Sequence, residues 1–197
     1  MGRIINPFAF SSGGFEPFDC GINFRATSGY VTDGANETYC EASDTYPTTR
    51  GGCTFGWDNS TGVSELNRNS GVDRRLAGIN YLSKTNLSRT FRLDLPSAGT
   101  YEIHLAIGDM NAATNCGCVV RDGATTNIIT LTGDTSGSAK FKDATNTEYS
   151  HTNWPSSESG STHSLSNDFI IWRVSGAASG NSVSNVKIAH LRVVRVG

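Results

Sequence analysis

Apolar and polar residues alternate along much of the chain, and the alternation has the period of β-strands. The clearest case is RTFRLDLPSAGTYEIHLAIGD at 89–109. Phe91, Leu93 and Leu95 share one phase before a Pro-Ser-Ala-Gly turn. Tyr101, Ile103, Leu105 and Ile107 share one phase after it, up to Gly108-Asp109. This pattern predicts a β-hairpin. Other predicted strands are 20–25, 29–32, 116–122, 127–133 and 139–143. DFIIWRV (168–174) is almost continuously apolar, which predicts a central strand covered on both faces. In NVKIAHLRVVRV (185–196) the apolar phase changes at Ala189-His190, and a β-bulge is expected there.

Two long stretches interrupt these strands. From Gly34 to Asn80 strand signals are weak and turn residues dense, with one short helical turn expected at Val72–Leu76. Residues 144–167 are polar and rich in Ser, with Trp154 directly before Pro155. Connections of this length in a compact domain are usually functional. Eight or nine strands with one apolar face each favour a two-sheet antiparallel β-sandwich of jelly-roll type over a closed barrel.

Residues 1–18 read as an extended arm, since Pro7 and Pro17 interrupt any ladder. Yet Ile4, Ile5, Phe8, Phe10 and Phe15 are strongly apolar, and exposing them is unfavourable. The arm either packs on its own domain or docks on a neighbour. The expected organisation is an arm at 1–18 and one sandwich domain at 19–197.

Composition narrows the classes of function. The chain has 197 residues, enough for one domain, and 22 glycines suited to many turns. Its 16 basic and 18 acidic residues leave a net charge of −2 with no long block of one sign. That argues against nucleic-acid binding by phosphate neutralisation. No apolar run reaches the ~18 residues of a membrane span, and residues 1–14 lack an apolar core of signal-peptide length, so no membrane partner is expected. Three glycosylation sequons, at Asn36, Asn59 and Asn86, are expected chance matches in a chain rich in Asn, Ser and Thr. Five cysteines are present, an odd number, so at least one cannot pair within the chain. They are expected as small buried hydrophobes in a reducing cytosol. If a disulfide forms, Cys40 and Cys53 bracket one loop and are the best candidates. Cys116 and Cys118 stand at i and i+2, and on a strand would share a face.

Catalytic motifs are absent: there is no G-x-S-x-G, H-E-x-x-H, P-loop or G-x-G-x-x-G. The spacing of His104, His151, His163 and His190 matches no metal site. His104 lies on the strand face opposite Tyr101 and Ile103, and His190 at the expected bulge. Asp109 has no partner in sequence that would make it a nucleophile or base, and its expected role is to cap the turn after Gly108. The expectation is a non-enzyme without metal or cofactor. Material for binding is better. Trp57, Tyr81 and Trp154 lie in or beside loops, where an exposed ring can stack on a sugar while polar neighbours bond its hydroxyls. The same rings can instead plug the ends of a sandwich core.

The segments INF (22–24), FGWD (55–58), DRRLAG (73–78) and FRLDLPSAGTYEIHLAIGD (91–109) follow one another in an order that resembles the malectin-like, galactose-binding-type β-sandwich domains. FKDATNTEYSHTNWP (141–155) and IAHLRVVRV (188–196) resemble the closing part of the same domain. The resemblance covers about residues 19–196 and implies a sandwich that binds carbohydrate through loops at one edge. Carried over by position, it puts Trp57, Asp58 and Asp109 nearest such a site; Tyr81 and Trp154 complete the candidate set. RIINPFAF at the start is similar to the beginning of small bacteriophage virion proteins. That second resemblance implies a structural virion component, either capsid decoration or tail and baseplate, made in the host cytoplasm and assembled as a homo-oligomer with other virion subunits. Attachment would run through Ile4, Ile5, Phe8, Phe10 and Phe15. The alternative is a carbohydrate-binding module or host-surface adhesin with a polysaccharide partner.

Overall fold

The computed structural model describes residues 17–25, 36–68, 73–83, 87–157, 159–175 and 186–197. Residues 29–32 and the arm positions Ile4, Ile5, Phe8, Phe10 and Phe15 lie outside that set. The fold is a two-sheet β-sandwich of jelly-roll type. The larger sheet is built on β1 (Asp19–Phe24), β2 (Glu37–Cys40), β5 (Val63–Asn67), β6 (Gly78–Leu82), β8 (Gly99–Asp109), β11 (Lys140–Lys142), β12 (Glu148–Ser150), β13 (Ser161–Leu165) and β15 (Lys187–Arg195). Its main order is β12-β11-β8-β15-β1-β2; β13 adds to β8, and the β5–β6 pair adds to β15. The smaller sheet runs in the order β10 (Thr126–Leu131), β9 (Cys118–Asp122), β14 (Phe169–Ser175), β7 (Ser88–Asp94), β4 (Cys53–Trp57), β3 (Thr48–Arg50). Among these strand pairs β1–β2 is parallel and the others are antiparallel.

The core lies between the sheets. Phe24 from the larger sheet meets Phe91 and Trp172 of the smaller one edge-on, at ring-centroid distances of 5.0 and 5.7 Å. Trp57 stands 5.5 Å from Phe91 in the same cluster. Edge-to-face geometry is the arrangement aromatic quadrupoles favour, and such pairs add about 0.5–1.5 kcal/mol beyond their burial. Phe18 packs on this core and lies edge-on to Tyr101, and its carbonyl accepts a hydrogen bond from Arg195 N–H at 2.8 Å. Phe18, the last position of the expected arm, therefore belongs to the sandwich.

The stretch 89–109 is not a hairpin. β7 pairs with β4 and β14 in the smaller sheet, whereas β8 pairs with β11, β13 and β15 in the larger one. The Pro-Ser-Ala-Gly turn carries the chain from one sheet across to the other. The Tyr101 hydroxyl donates to the Ser97 carbonyl at 2.7 Å and holds the crossing. Alternation specifies which face of a strand is buried, not which strand lies beside it. Two apolar faces joined by a short turn suit a crossing as well as a hairpin.

Other expectations need correction. The segment 34–80 holds β2, β3, β4 and β5 and the start of β6 rather than long loops; these strands are short and rich in polar residues, which weakens the alternation. β14 is central in its sheet but buried on one face: Ile170, Trp172 and Val174 face the core while Arg173 is exposed. Arg92 lies over the Phe169 ring at 4.0 Å, so the outward apolar residue has a cationic cover instead of a second layer. Cys53 does form a disulfide, but with Cys20 and not Cys40, joining β4 of the smaller sheet to β1 of the larger. Cys40, Cys116 and Cys118 are buried thiols. The helical turn is present as a 3-10 turn, Arg74–Leu76; Val72 lies outside the described residues.

Candidate functional site

The bulge in β15 shapes the outer face of the larger sheet. Ile188 and Leu191 both belong to the inter-sheet core, although three positions apart. A strict two-residue period forbids this, and the register against β8 shifts between Ile188 and His190 to allow it. Ala189 thereby joins a second apolar cluster on the outer face, and His190 follows beside it. The second cluster holds Leu76, Ile79, Ala106, Phe141 and Trp154, with Tyr81 and Tyr149 packed against it. Leu76 comes from the 3-10 turn, whose N-terminus is capped by Asp73: its carboxylate accepts from Arg75 N–H at 3.0 Å. Trp154 comes from the polar stretch after β12 and lies edge-on to Phe141 and Tyr149.

Next to this cover is a cavity of about 130 Å³ lined by polar side chains. Glu37 on β2, His104 on β8, and His190 and Arg192 on β15 form its floor. Arg75 of the 3-10 turn and Ser156 and Ser157 of the loop after Trp154 complete it. Each charged group is fastened. Arg75 bonds Asp73 through Nε at 2.8 Å and also through Nη2, which donates as well to the Pro155 carbonyl at 2.9 Å. It thus ties the turn to the loop. Arg192 makes a bidentate pair with Asp19, at 2.8 and 2.7 Å. The Arg192 hydrogen bond, helped by Asn36 and working against burial, holds the Asp19 carboxyl below the usual carboxylate range. Glu37 accepts from Asn23 Nδ2 at 2.8 Å, and its other oxygen lies 3.6 Å from His190 Nε2. His104 Nε2 lies 3.7 Å from Glu102. Gly21 sits opposite Glu37 in the parallel β1–β2 register, and a Cβ at Gly21 would run into the Glu37 carboxylate. Glycine there is what lets the carboxylate lie over the strand.

Two larger hollows are less suited to specific binding. One of about 550 Å³ lies around Phe18, Asn36, Gly51 and Gly52, and one of about 350 Å³ between Ala42 and Glu65. Both open more widely to solvent than the smaller cavity, and the second is lined mostly by Ala and Ser.

The residues singled out in the sequence are dispersed. Trp57 is 1 % exposed and belongs to the inter-sheet core, so it offers no face to a ligand. Asp58 is exposed at the end of β4, where it accepts from Asn59 N–H and Thr90 N–H at 2.8 and 3.1 Å. Tyr81 and Trp154 meet in the second cluster, where Trp154 is 8 % exposed. Asp109 is wholly buried and bound by Arg68 and Lys187. It also accepts from Asn111 N–H at 3.1 Å, the turn-capping role expected of it. Burial pushes its carboxyl up, but Arg68, the Asn111 amide and Lys187 outweigh burial and hold it below the usual range. Trp57 and Trp154 are therefore packing residues, the outcome that applies when rings plug a core. The pocket residues lie far apart in the chain. The signals for them were the phase of His104, opposite Tyr101 and Ile103, and the phase change at His190.

Fold and pocket together define a β-sandwich domain with a preorganised polar pocket on the outer face of one sheet. No protein-family model matches the chain, and no curated protein matches it. Among solved structures, the Bacillus subtilis protein YxiM aligns over 91 % of this chain with a TM-score of 0.53 and 16 % identity. This chain spans only 40 % of that protein, and the likeness is one of fold. Carbohydrate-binding modules are also among the structural neighbours. A family 35 module from Clostridium thermocellum aligns over 78 % of this chain and 97 % of its own, with a TM-score of 0.36 and 14 % identity. TmCBM61, solved in complex with beta-1,4-galactotriose, aligns over 73 % of this chain and 83 % of its own, with a TM-score of 0.32 and 14 % identity.

Proposed function

We propose that the domain is a non-catalytic carbohydrate-binding module whose site is the pocket between Glu37, Arg75, His104, His190 and Arg192. The observation that carries this reading is that the pocket's charged groups are held in place before any ligand arrives. Asp73 and Pro155 fix Arg75, Asp19 fixes Arg192, and Asn23 fixes Glu37. Groups that are already ordered lose little entropy on binding, so more of each contact appears as affinity. Sugar hydroxyls donate and accept, and the pocket offers both: guanidinium and imidazole N–H donors, a carboxylate acceptor and two serine hydroxyls. Hydrogen bonds to charged groups contribute about 1.5–3 kcal/mol each, enough for a few to hold a sugar without a stacking ring. The sequence resemblance to malectin-like domains supports the same class.

The Cys20–Cys53 bond supports a place in an oxidising compartment, where such bonds persist. A virion structural role gains nothing from the comparisons, and the arm positions proposed to attach it lie outside the described residues. A glycan array probed with the domain and with Ser157→Trp, which fills the pocket, tests the carbohydrate reading. Binding to a set of glycans that the substitution abolishes is expected. No binding to any glycan, or binding that Ser157→Trp leaves unchanged, overturns it.

A further inference from the structure

We infer that the pocket takes an acidic sugar unit and reads its anionic group; this rests on the carbohydrate reading above and narrows it. Among the described residues lining the cavity, Arg75 and Arg192 are cationic, His104 and His190 carry ring nitrogens that can donate hydrogen bonds, and Glu37 is the one carboxylate. The carboxylates that orient the two guanidiniums, Asp73 and Asp19, are not among the lining residues. They hold the arginines from outside the cavity lining. Among the described residues no Phe, Tyr or Trp ring lines the cavity, so the broad apolar platform on which a sugar face stacks is not what it offers. Selection falls to charge and hydrogen bonding.

The size of the cavity agrees. At about 130 Å³ it is well below the roughly 300–1,000 Å³ of pockets that enclose larger ligands. It admits one polar edge of a single ring, not a run of rings. An edge that carries a carboxylate or a sulfate next to hydroxyls matches these donors together with the one carboxylate acceptor and the two serine hydroxyls. The anionic oxygens face Arg75 and Arg192, and a neighbouring hydroxyl donates to Glu37. A neutral sugar makes hydrogen bonds to the same arginines without the charge-assisted gain. Carboxylated and sulfated sugars share this chemistry, and the experiment separates them.

Titration calorimetry at fixed salt with glucuronate, galactose 6-sulfate, galactose and inorganic sulfate tests the inference, on the wild-type domain and on Arg192→Gln, Arg192→Lys and Ser157→Trp. One of the two acidic sugars is expected to bind about tenfold or more tighter than galactose, from a single charge-assisted contact. Arg192→Gln is expected to remove most of that preference, Arg192→Lys to keep part of it, and Ser157→Trp to abolish binding. The lysine variant retains a cation for Asp19, so a loss seen only with glutamine is not a folding failure. Equal affinity for galactose and the acidic sugars overturns the inference and leaves the carbohydrate reading standing. Inorganic sulfate binding as tightly as the acidic sugars also overturns it, since the sugar then adds nothing. Failure of every sugar, together with a blank glycan array, overturns both readings.

Discussion

Asp109 at the end of β8 and Arg68 after β5 are joined by a bidentate ion pair, with Nε–Oδ1 at 2.7 Å and Nη2–Oδ2 at 2.9 Å. The carboxylate is wholly buried, and Lys187 Nζ at the start of β15 lies 3.1 Å from Oδ2. Three segments distant in sequence meet on this one group. The ending of the most regular strand is therefore a structural lock.

Asp109→Asn leaves Arg68 and Lys187 facing a neutral group. Removing one partner of a buried pair costs about 3–5 kcal/mol, and urea denaturation should show a loss of that order. The pH dependence follows from the depressed native value. The contribution is present above the unfolded carboxyl value, near 3.9, and is lost as the pH falls from there through the native value. Wild-type stability should fall below about pH 4, and Asp109→Asn should flatten that fall.

Cys20 and Cys53 close a loop with a sequence separation of 33 and clamp the two sheets together. The chain-entropy estimate for a loop of that size is about 3–4 kcal/mol. Thermal melts with and without reductant should differ accordingly, and Cys20→Ser should melt like the reduced wild type.

Burial pushes the Cys116 thiol up to about 11 and that of Cys118 up to about 12, and also raises Cys40 well above its usual value. Thiolates are the reactive species, so these three cysteines should resist modification by a thiol reagent at pH 8 in the native protein. In denaturant without reductant all three should react.

Trp154→Ala opens the second apolar cluster, and Trp57→Ala the first. Each should cost about 3–5 kcal/mol by the usual scale for large-to-small core changes. Thermal denaturation checks this. Loss of sugar binding by Trp57→Ala should track the fraction unfolded, because the ring lies within the core and away from the pocket.

Much of the sandwich was legible in the alternation of residues such as Phe91, Leu93, Tyr101 and Ile103, because burial on one face imposes a two-residue period. The bulge at Ala189-His190 was legible for the same reason, as a break in that period. The crossing at Pro96–Gly99 was not, since a short turn between two apolar faces is compatible with either sheet partner. Nearness in sequence favours Cys40 and Cys53 if a disulfide forms, while Cys20 and Cys53 come together only across the packed sheets. The pocket was hidden for the same cause: Glu37, Arg75, His104 and Arg192 come together through sheet register, which no local pattern encodes. Trp57 and Trp154 lie beside turns, where a binding ring can be exposed, yet tertiary packing covers both.

The central claim is that a sugar occupies the pocket on the outer face of the larger sheet. Nuclear magnetic resonance titration of the labelled domain with glucuronate and with galactose tests it most directly. Saturable shifts are predicted at the amides of Gly21, Glu37, His104, Ser156, Ser157 and His190, larger for glucuronate at equal concentration. Shifts confined to Asp58, Asn59 and Thr90 beside β4 and β7 of the smaller sheet, or no shifts with either sugar, would contradict it.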